Sequence, residues 1–515
     1  MAPTDASKQA ATDAVEVKSL EAPSTGSPPA LVLDDYVKPR TWGEVFAWFP
    51  QGTTAEEKRV LYKVDFSILA FGCLSYFTKN LDTSSLSNAY ASGMKEDLNL
   101  GGNDLNYLNA VYYASYLAFM IPGSLALTRL PARWILPTLE VLWGVSTFGC
   151  AWVQNLTQLY VCRFLLGAFE TLCMTGTIYI IGSWYKRSEM GMRVALFQVS
   201  SPLGTMFSGY LQTAAYENLS GVGGLEGWRW LYVICFVITV PCALLGYMVF
   251  PSTPDKTKPM LLLKQEDIDL MKRRLAVEHM RPPDKKIRLQ VVTRMLKRWR
   301  FWLFVLAWCF FDQIGYVGKT PFTLYLKAEK YSVPKINNLP TIGQAISIVL
   351  SLVQSFYSDK TGDRFSPCVF NTVLCMLGSY ILAAWNVKDG AKMFAWIIMG
   401  VETAMNPLLM SWASDATMDD HEERSLVTAS MNCIGQAFVA WTPIFTYPSD
   451  GAPRFRVGNI FTAVCTTCHF LQFFVMQYLF LRDRKRERAA RLQRWQEENG
   501  AEMVVVDEKR SMSTE

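Results

Sequence analysis

Residues 229–250 read Arg229-Trp-Leu-Tyr-Val-Ile-Cys-Phe-Val-Ile-Thr-Val-Pro-Cys-Ala-Leu-Leu-Gly-Tyr-Met-Val-Phe250, with a single charge at the first position. A bilayer core takes about 20 mostly apolar residues at 1.5 Å rise each, so the run predicts a membrane-spanning helix. The next segment differs in kind. Residues 251–299 are basic, carry Pro282-Pro283, and include a surface-helix pattern over Gln265–His279. Upstream, similar apolar runs fall near 64–84, 104–126, 134–153, 158–183 and 194–216. Downstream, six more fall near 300–320, 339–357, 367–386, 393–414, 426–447 and 458–481. The expectation is an all-α membrane protein of twelve transmembrane helices in two six-helix bundles. Its parts are a cytoplasmic tail over 1–60, a first bundle over 61–250, a cytoplasmic middle loop over 251–299, a second bundle over 300–481 and a cytoplasmic tail over 482–515.

Composition agrees. Half of the 515 residues are hydrophobic and only 18% are charged, below the roughly 25% usual for soluble domains. Residues 1–25 contain no apolar run, so no signal peptide is expected. The twelve Cys are scattered singly, mostly in apolar runs where a thiol behaves as a small hydrophobe. Cys465-Thr-Thr-Cys468-His469 fits a haem-attachment pattern, but it lies inside an apolar run and reads as plain helix. With three His and no clustered ligands, neither metal nor cofactor nor enzymatic chemistry is expected. The chain contains no G-x-x-x-x-G-K-[ST], which argues against a nucleotide-driven pump. The basic run Arg482–Arg494 reads as a stop-transfer flank continuing as a solvated helix, not as a nucleic-acid site.

Lys and Arg placement sets an orientation. Lys58, Arg59 and Lys63 precede the first run, Lys186, Arg187 and Arg193 follow the fourth, and Arg482, Arg484, Lys485, Arg486 and Arg488 follow the last. Both termini are therefore expected in the cytosol. The short loops of the second half do not discriminate. The sequons Asn155-Leu-Thr157 and Asn218-Leu-Ser220 both fall in loops expected outside, as glycosylation sites.

The halves also look like a repeat, and the six-plus-six plan with a long middle loop is that of major facilitator transporters. Ser355-Phe-Tyr-Ser-Asp359-Lys360-Thr-Gly362-Asp363-Arg364 resembles their signature G-x-x-x-D-[RK]-x-G-[RK]-[RK], with Ser for the first Gly. The equivalent loop of the first half, Gly123-Ser-Leu-Ala-Leu127-Thr-Arg129-Leu-Pro131-Ala-Arg133, keeps its bases but has Leu127 in place of the Asp. The resemblance implies gating roles for Asp359, Lys360, Arg364, Arg129 and Arg133. A basic stop on the cytoplasmic side explains the first loop almost as well.

Arg163-Phe-Leu-Leu-Gly167-Ala-Phe-Glu170, then Gly182-Ser-Trp184-Tyr185-Lys186-Arg187-Ser-Glu189 and Arg193, resemble the fungal anion:cation symporters of allantoate permease type. The stretches Leu81–Leu98, Phe207–Gln212, Gly227–Leu231 and Glu422–Asn432 look closer to their pantothenate and vitamin branch. The resemblance covers roughly residues 55–480. It implies plasma-membrane import of a small organic anion with a proton, the anion being pantothenate or a related vitamin-like carboxylate. Uptake of allantoate, biotin or nicotinate, export of a metabolite, and a transporter-like nutrient sensor remain alternatives. Receptors of that last sort carry a long cytoplasmic extension, and these tails are short. Ser200-Ser-Pro202-Leu-Gly204 with Ser208-Gly209 matches the antiporter pattern only in part, which argues mildly against export. A monomer is expected, with the lipid bilayer, a small anion and a proton as its partners.

Ionisable groups inside a bilayer are costly unless paired or wet, so each is a candidate. Arg163 and Glu170 are two helical turns apart and share a face; Arg163 is read as the grip on a substrate carboxylate and Glu170 as the proton carrier. Lys79 and Asp82, three apart, are expected to pair and line the substrate site with Tyr113 and Asn406. Tyr113 belongs to a stripe with Tyr112 and Tyr116 that reads more readily as packing, and Asn406-Pro407 should break the tenth helix. Asp312 and Glu402 are proton-coupling candidates of the second half. Asp65, Glu140 and His469 are expected to be structural.

Overall fold

In the computed structural model, residues 48–49, 52–276, 289–417 and 421–499 are described. Most of the expected N-terminal tail, Pro282-Pro283, the last three residues of the expected surface helix and residues 500–515 lie outside them. Residues Tyr36–Phe480 pack as one unit; the two chain ends form another, whose described part is the end of the last helix.

Each of the twelve apolar runs lies on a helical stretch. The first half holds α1 (Ala55–Asp97), α2 (Asp104–Arg129), α3 (Ala132–Cys150), α4 (Leu156–Trp184), α5 (Arg187–Leu219) and α6 (Gly227–Val249). The second holds α7 (Trp299–Ala328), α8 (Val333–Thr361), α9 (Phe365–Ala384), α10 (Asp389–Ala416), α11 (His421–Thr446) and α12 (Arg456–Asn499). Among the described residues, nine of these are long and apolar enough to cross a membrane; α3, α5 and α11 fall short on that criterion. The surface helix of the middle loop spans Gln265–Ala276. Its Ile268 and Met271 are fully buried, and Arg274 pairs with Glu189 and, at 3.2 Å, with Glu57.

Packing repeats between the halves. α1 packs on α5 and α2 on α4; six helices on, α7 packs on α11 and α8 on α10. The halves meet most extensively through α2 with α11 and α5 with α8, two contacts that exchange under the same shift of six. Small residues let these helices close. A Cβ at Gly167 would run into the Tyr112 carbonyl and the Ser115 hydroxyl, which sets α4 tight against α2.

Hydrogen bonds between the halves gather at one end of the molecule. Asn106 Nδ2 donates to the Tyr447 carbonyl at 2.7 Å, and Tyr316 donates to Asn106 at 3.0 Å. Asn337 donates to Ser92 at 3.0 Å, and Lys327 to the Tyr90 carbonyl at 2.9 Å. This is the end that carries Asn155 and Asn218. Asn155 caps α4, accepting from the Gln158 amide at 2.9 Å, and Asn218 Nδ2 donates to the Ala214 carbonyl at 2.9 Å; both residues are exposed.

Several helices are locally irregular, as walls of a cavity can be. α1 contains a π-helical segment at Asp65–Ala70 and another at Tyr90–Met94, where Gly93 takes φ 124°. α7 breaks at Gly318–Lys319, and α10 becomes a 3-10 helix over Gly400–Met405, ending at Asn406. Gly318, Gly343 and Gly400 meet there, so α7, α8 and α10 touch backbone to backbone.

Candidate functional site

Between the halves lies a cavity of about 240 Å³, walled by α1, α2, α5, α7, α8, α10 and α11, with Met174 from α4. Its lining residues are mostly of polar type, with hydroxyls, carboxamides and tyrosines, and Lys79, Asp312 and Lys319 as its charges.

Lys79 stands on the wall with Nζ 3.9 Å from Glu170 Oε2 and 5.8 Å from the Tyr116 ring centroid. Glu170 is fully buried one layer behind. Its Oε2 accepts from the Tyr112 hydroxyl at 2.6 Å and from the Thr83 hydroxyl at 2.9 Å, and its Oε1 has no partner. Tyr112 and Thr83 both line the cavity, so only their side chains separate Glu170 from it. Tyr113 lines it too, edge-on to Tyr112 at 5.1 Å. The tyrosines of α2 are thus part of the site, where the sequence favoured packing.

Two expectations for this half need correction. Arg163 does not line the cavity: it is 1% exposed and stacks on the Tyr112 ring at 4.9 Å. Its Nη2 donates to Asn109 Oδ1 at a long 3.4 Å. Tyr112 therefore stands between Arg163 and Glu170, ring toward one and hydroxyl toward the other. The shared helix face was legible; the aromatic inserted from α2 was not. Asp82 does not pair with Lys79. Residues three apart lie only about 60° apart round a helix, but here Lys79 reaches toward α4 while Asp82 reaches toward α6, accepting from Thr239 at 3.3 Å. Asp82 is fully buried and off the cavity wall.

In the second half, Asp312 lines the cavity and packs against Gly435 of α11, where a Cβ would strike its Oδ2. That oxygen has no hydrogen-bond partner. Asn406 lines the cavity with its Oδ1 likewise unpartnered. Glu402 does not reach the wall. It is fully buried on the 3-10 segment, with the Nδ1 of buried His469 at 3.8 Å. The helix break that aims Asn406 at the cavity turns Glu402 away.

The reading of Asp65 and Glu140 as structural agrees with their surroundings. Arg193 grips Asp65 with two bonds at 2.6 and 2.9 Å, and Trp48 donates to it at 2.7 Å. Glu140 accepts from Ser75 at 2.9 Å and from Thr78 at 3.3 Å. The loop residues are not among those that line the cavity. Arg364 bonds Asp359 at 2.7 Å and Asp415 at 3.1 Å, tying the α8–α9 turn to the end of α10. Lys360 flanks that pair. Arg133 donates to the Tyr247 carbonyl at 3.3 Å, and the Arg129 carbonyl accepts from Lys256 at 3.4 Å. The first-half turn is held by backbone contacts, as the missing Asp at Leu127 leads one to expect.

Sequence reasoning missed Lys319. It lies inside the seventh apolar run, 300–320, and the rule that selected Lys79 applies to it equally.

Two helical halves related by a shift of six, enclosing a polar cavity with buried charges, define a membrane transporter. The profile of the Major Facilitator Superfamily matches residues 72–443, and the chain belongs to that family. It is 37% identical over 443 residues to the pantothenate transporter liz1 of Schizosaccharomyces pombe, covering 85% of each chain. It is 33% identical over 413 residues to the pantothenate transporter FEN2 of Saccharomyces cerevisiae, covering 78% of this chain and 80% of that one. Over 470 residues it is 30% identical to the vitamin H transporter of the same yeast, covering 88% and 78%. Among solved structures, it superposes on the partially occluded, inward-open xylose transporter XylE of E. coli with TM-score 0.59 at 15% identity, over 80% of this chain and 97% of that one. That likeness speaks for the fold alone. The protein is a transporter, not an enzyme.

Proposed function

We propose that the protein imports pantothenate, or a closely related vitamin-like carboxylate, by proton symport. It does so as a plasma-membrane monomer of twelve spans with both termini in the cytosol. The observation that carries this reading is the Lys79–Glu170 pair at the cavity wall. Two relatives named as pantothenate transporters point to the substrate class.

Charged Glu170 keeps Lys79 at its own carboxylate. Protonated Glu170 no longer competes, and Lys79 turns to an incoming anion. An ion pair out of water is costly to break by removing one partner, so anion and proton arrive and leave together. Arg163 acts through Tyr112, which it holds against Glu170, and not by touching the substrate. Tyr113 and Asn406 contribute polar contacts, and Asp312 is the second acid that can take up a proton. With Asn155 and Asn218 outside and glycosylated, the bonded end of the molecule is the extracellular gate and the cavity serves the cytosolic side. The Asp359–Arg364–Asp415 cluster, with Lys360, Arg129 and Arg133, then belongs to the opposite gate.

Uptake of labelled pantothenate, biotin, nicotinate and allantoate, measured at pH 5 and pH 7.5 in cells lacking their own carriers, tests the reading. Pantothenate should enter fastest, and faster at pH 5. Equal rates at both pH values, or preference for another solute, would overturn it.

A further inference from the structure

The cavity carries a second lysine that neither the Lys79–Glu170 pair nor the gates account for. Residues 313–318 and 320–326 are all buried, and Lys319 between them is exposed. The surface it exposes is cavity wall. The backbone explains this. The first segment of α7 ends at Gly318, Lys319 takes φ −111° and ψ −108°, and the second segment begins at Thr320 with Pro321 in its first turn. The break lies where Gly318 packs on the Gly400 backbone, a contact that any side chain at 318 would block. The break aims Lys319 inward, and the charged groups it feels are Asp312 and Lys79.

Five polar atoms of the residues that line the cavity are buried with no partner: Trp308 Nε1, Asp312 Oδ2, Asn337 Oδ1, Asn406 Oδ1 and Asn432 Nδ2. Unmet hydrogen-bonding atoms cost about 1–3 kcal/mol each when buried, so a wall that keeps five of them suits a polar ligand. Asn406 and Asn432 offer an acceptor and a donor to hydroxyl or amide groups, and the Lys319 ammonium of the same cavity offers a charge-assisted bond to a carboxylate.

We propose that Lys319 is the carboxylate-binding cation of the second half of the cavity, and that its ligand is a small monocarboxylate whose hydroxyl or amide groups meet Asn406 and Asn432. The proposal rests on the reading of the protein as a carboxylate importer and adds the residue that recognises the charge. With Lys79 from the first helix of one half and Lys319 from the first helix of the other, a bound anion touches both halves. It thereby links their movement. Asp312 supplies the neighbouring negative charge, so a second anion at Lys319 favours proton uptake by Asp312 or Glu170.

The test is the thermal stability of the purified protein, and in parallel its uptake, with pantothenate and with pantothenol, the neutral alcohol of the same skeleton. Wild type should be stabilised by the acid more than by the alcohol. Lys319→Gln should weaken the apparent affinity for the acid by roughly ten- to a hundred-fold, the weight of one charge-assisted bond. It should leave the alcohol unchanged, and Lys319→Arg should retain acid binding. If Lys319→Gln weakens acid and alcohol alike, and Lys319→Gln/Asp312→Asn restores both, Lys319 only neutralises Asp312 and the proposal is wrong. If no carboxylate stabilises the wild type, it is also wrong. If carboxylates stabilise the protein through Lys319 but none is taken up, the import reading fails and the anion site stands.

Discussion

Lys79 Nζ and Glu170 Oε2 lie 3.9 Å apart, the lysine on the cavity wall and the acid sealed behind it by Tyr112 and Thr83. The first prediction concerns stability. Lys79→Ala leaves a buried carboxylate without its cation, a loss of about 3–5 kcal/mol for a fully buried pair. Here the lysine is 15% exposed to the cavity and the distance is long, so a smaller loss is expected. Lys79→Ala/Glu170→Gln should melt higher than Lys79→Ala alone. A double variant no more stable than the single would show that the two charges do not depend on each other.

Arg163 is buried behind Tyr112, so it should influence turnover more than affinity. Lys cannot stack its charge on the ring as a planar guanidinium does. Arg163→Lys should lower the maximal uptake rate by about tenfold, the scale of one lost stacking and hydrogen-bonding contact, with little change in apparent KM. A large rise in KM at unchanged maximal rate would place Arg163 on the substrate.

Asp359→Asn removes one of the two carboxylates that hold Arg364, and Asp415 remains at 3.1 Å. The cluster lies away from the cavity, so maximal rate should fall and KM should hold. The kinetics of uptake decide; an altered KM with an intact rate would deny the turn a gating role.

Membrane orientation is open to cysteine labelling. In a background without the native cysteines, Asn155→Cys should react with an impermeant reagent on intact cells, and Ala490→Cys only after permeabilisation. The reverse pattern would invert the topology and with it the assignment of the gates.

Much of the fold was legible because lipid imposes length and apolarity on a span: each of the twelve apolar runs lies on a helical stretch, and among the described residues nine of these are long and apolar enough to cross a membrane. The site was legible only residue by residue. Lys79, Tyr113, Asp312 and Asn406, which line the cavity, and Glu170 behind it stood out because a charge, a polar stripe or a proline is unusual in such runs. Arg163, Asp82 and Glu402 were misplaced because periodicity gives a residue's angle on its own helix, not which neighbour fills the space beside it. Tyr112 intervenes for Arg163, α6 takes up Asp82, and the 3-10 turn rotates Glu402 toward His469. Lys319 escaped notice at the edge of its run, where a lysine usually marks the exit from the membrane. The backbone break at Gly318 that turns it inward coincides with a glycine contact between α7 and α10, distant in sequence.

The central claim is that Glu170 couples the anion to a proton, and reconstituted vesicles test it most directly. Wild type should accumulate labelled pantothenate against its gradient when the lumen is alkaline and the bath acidic, and should exchange it in counterflow without any pH difference. Glu170→Gln, an uncharged mimic of the protonated acid, should keep counterflow and lose pH-driven accumulation. Full pH-driven accumulation by Glu170→Gln would contradict the account and pass the proton to another acid.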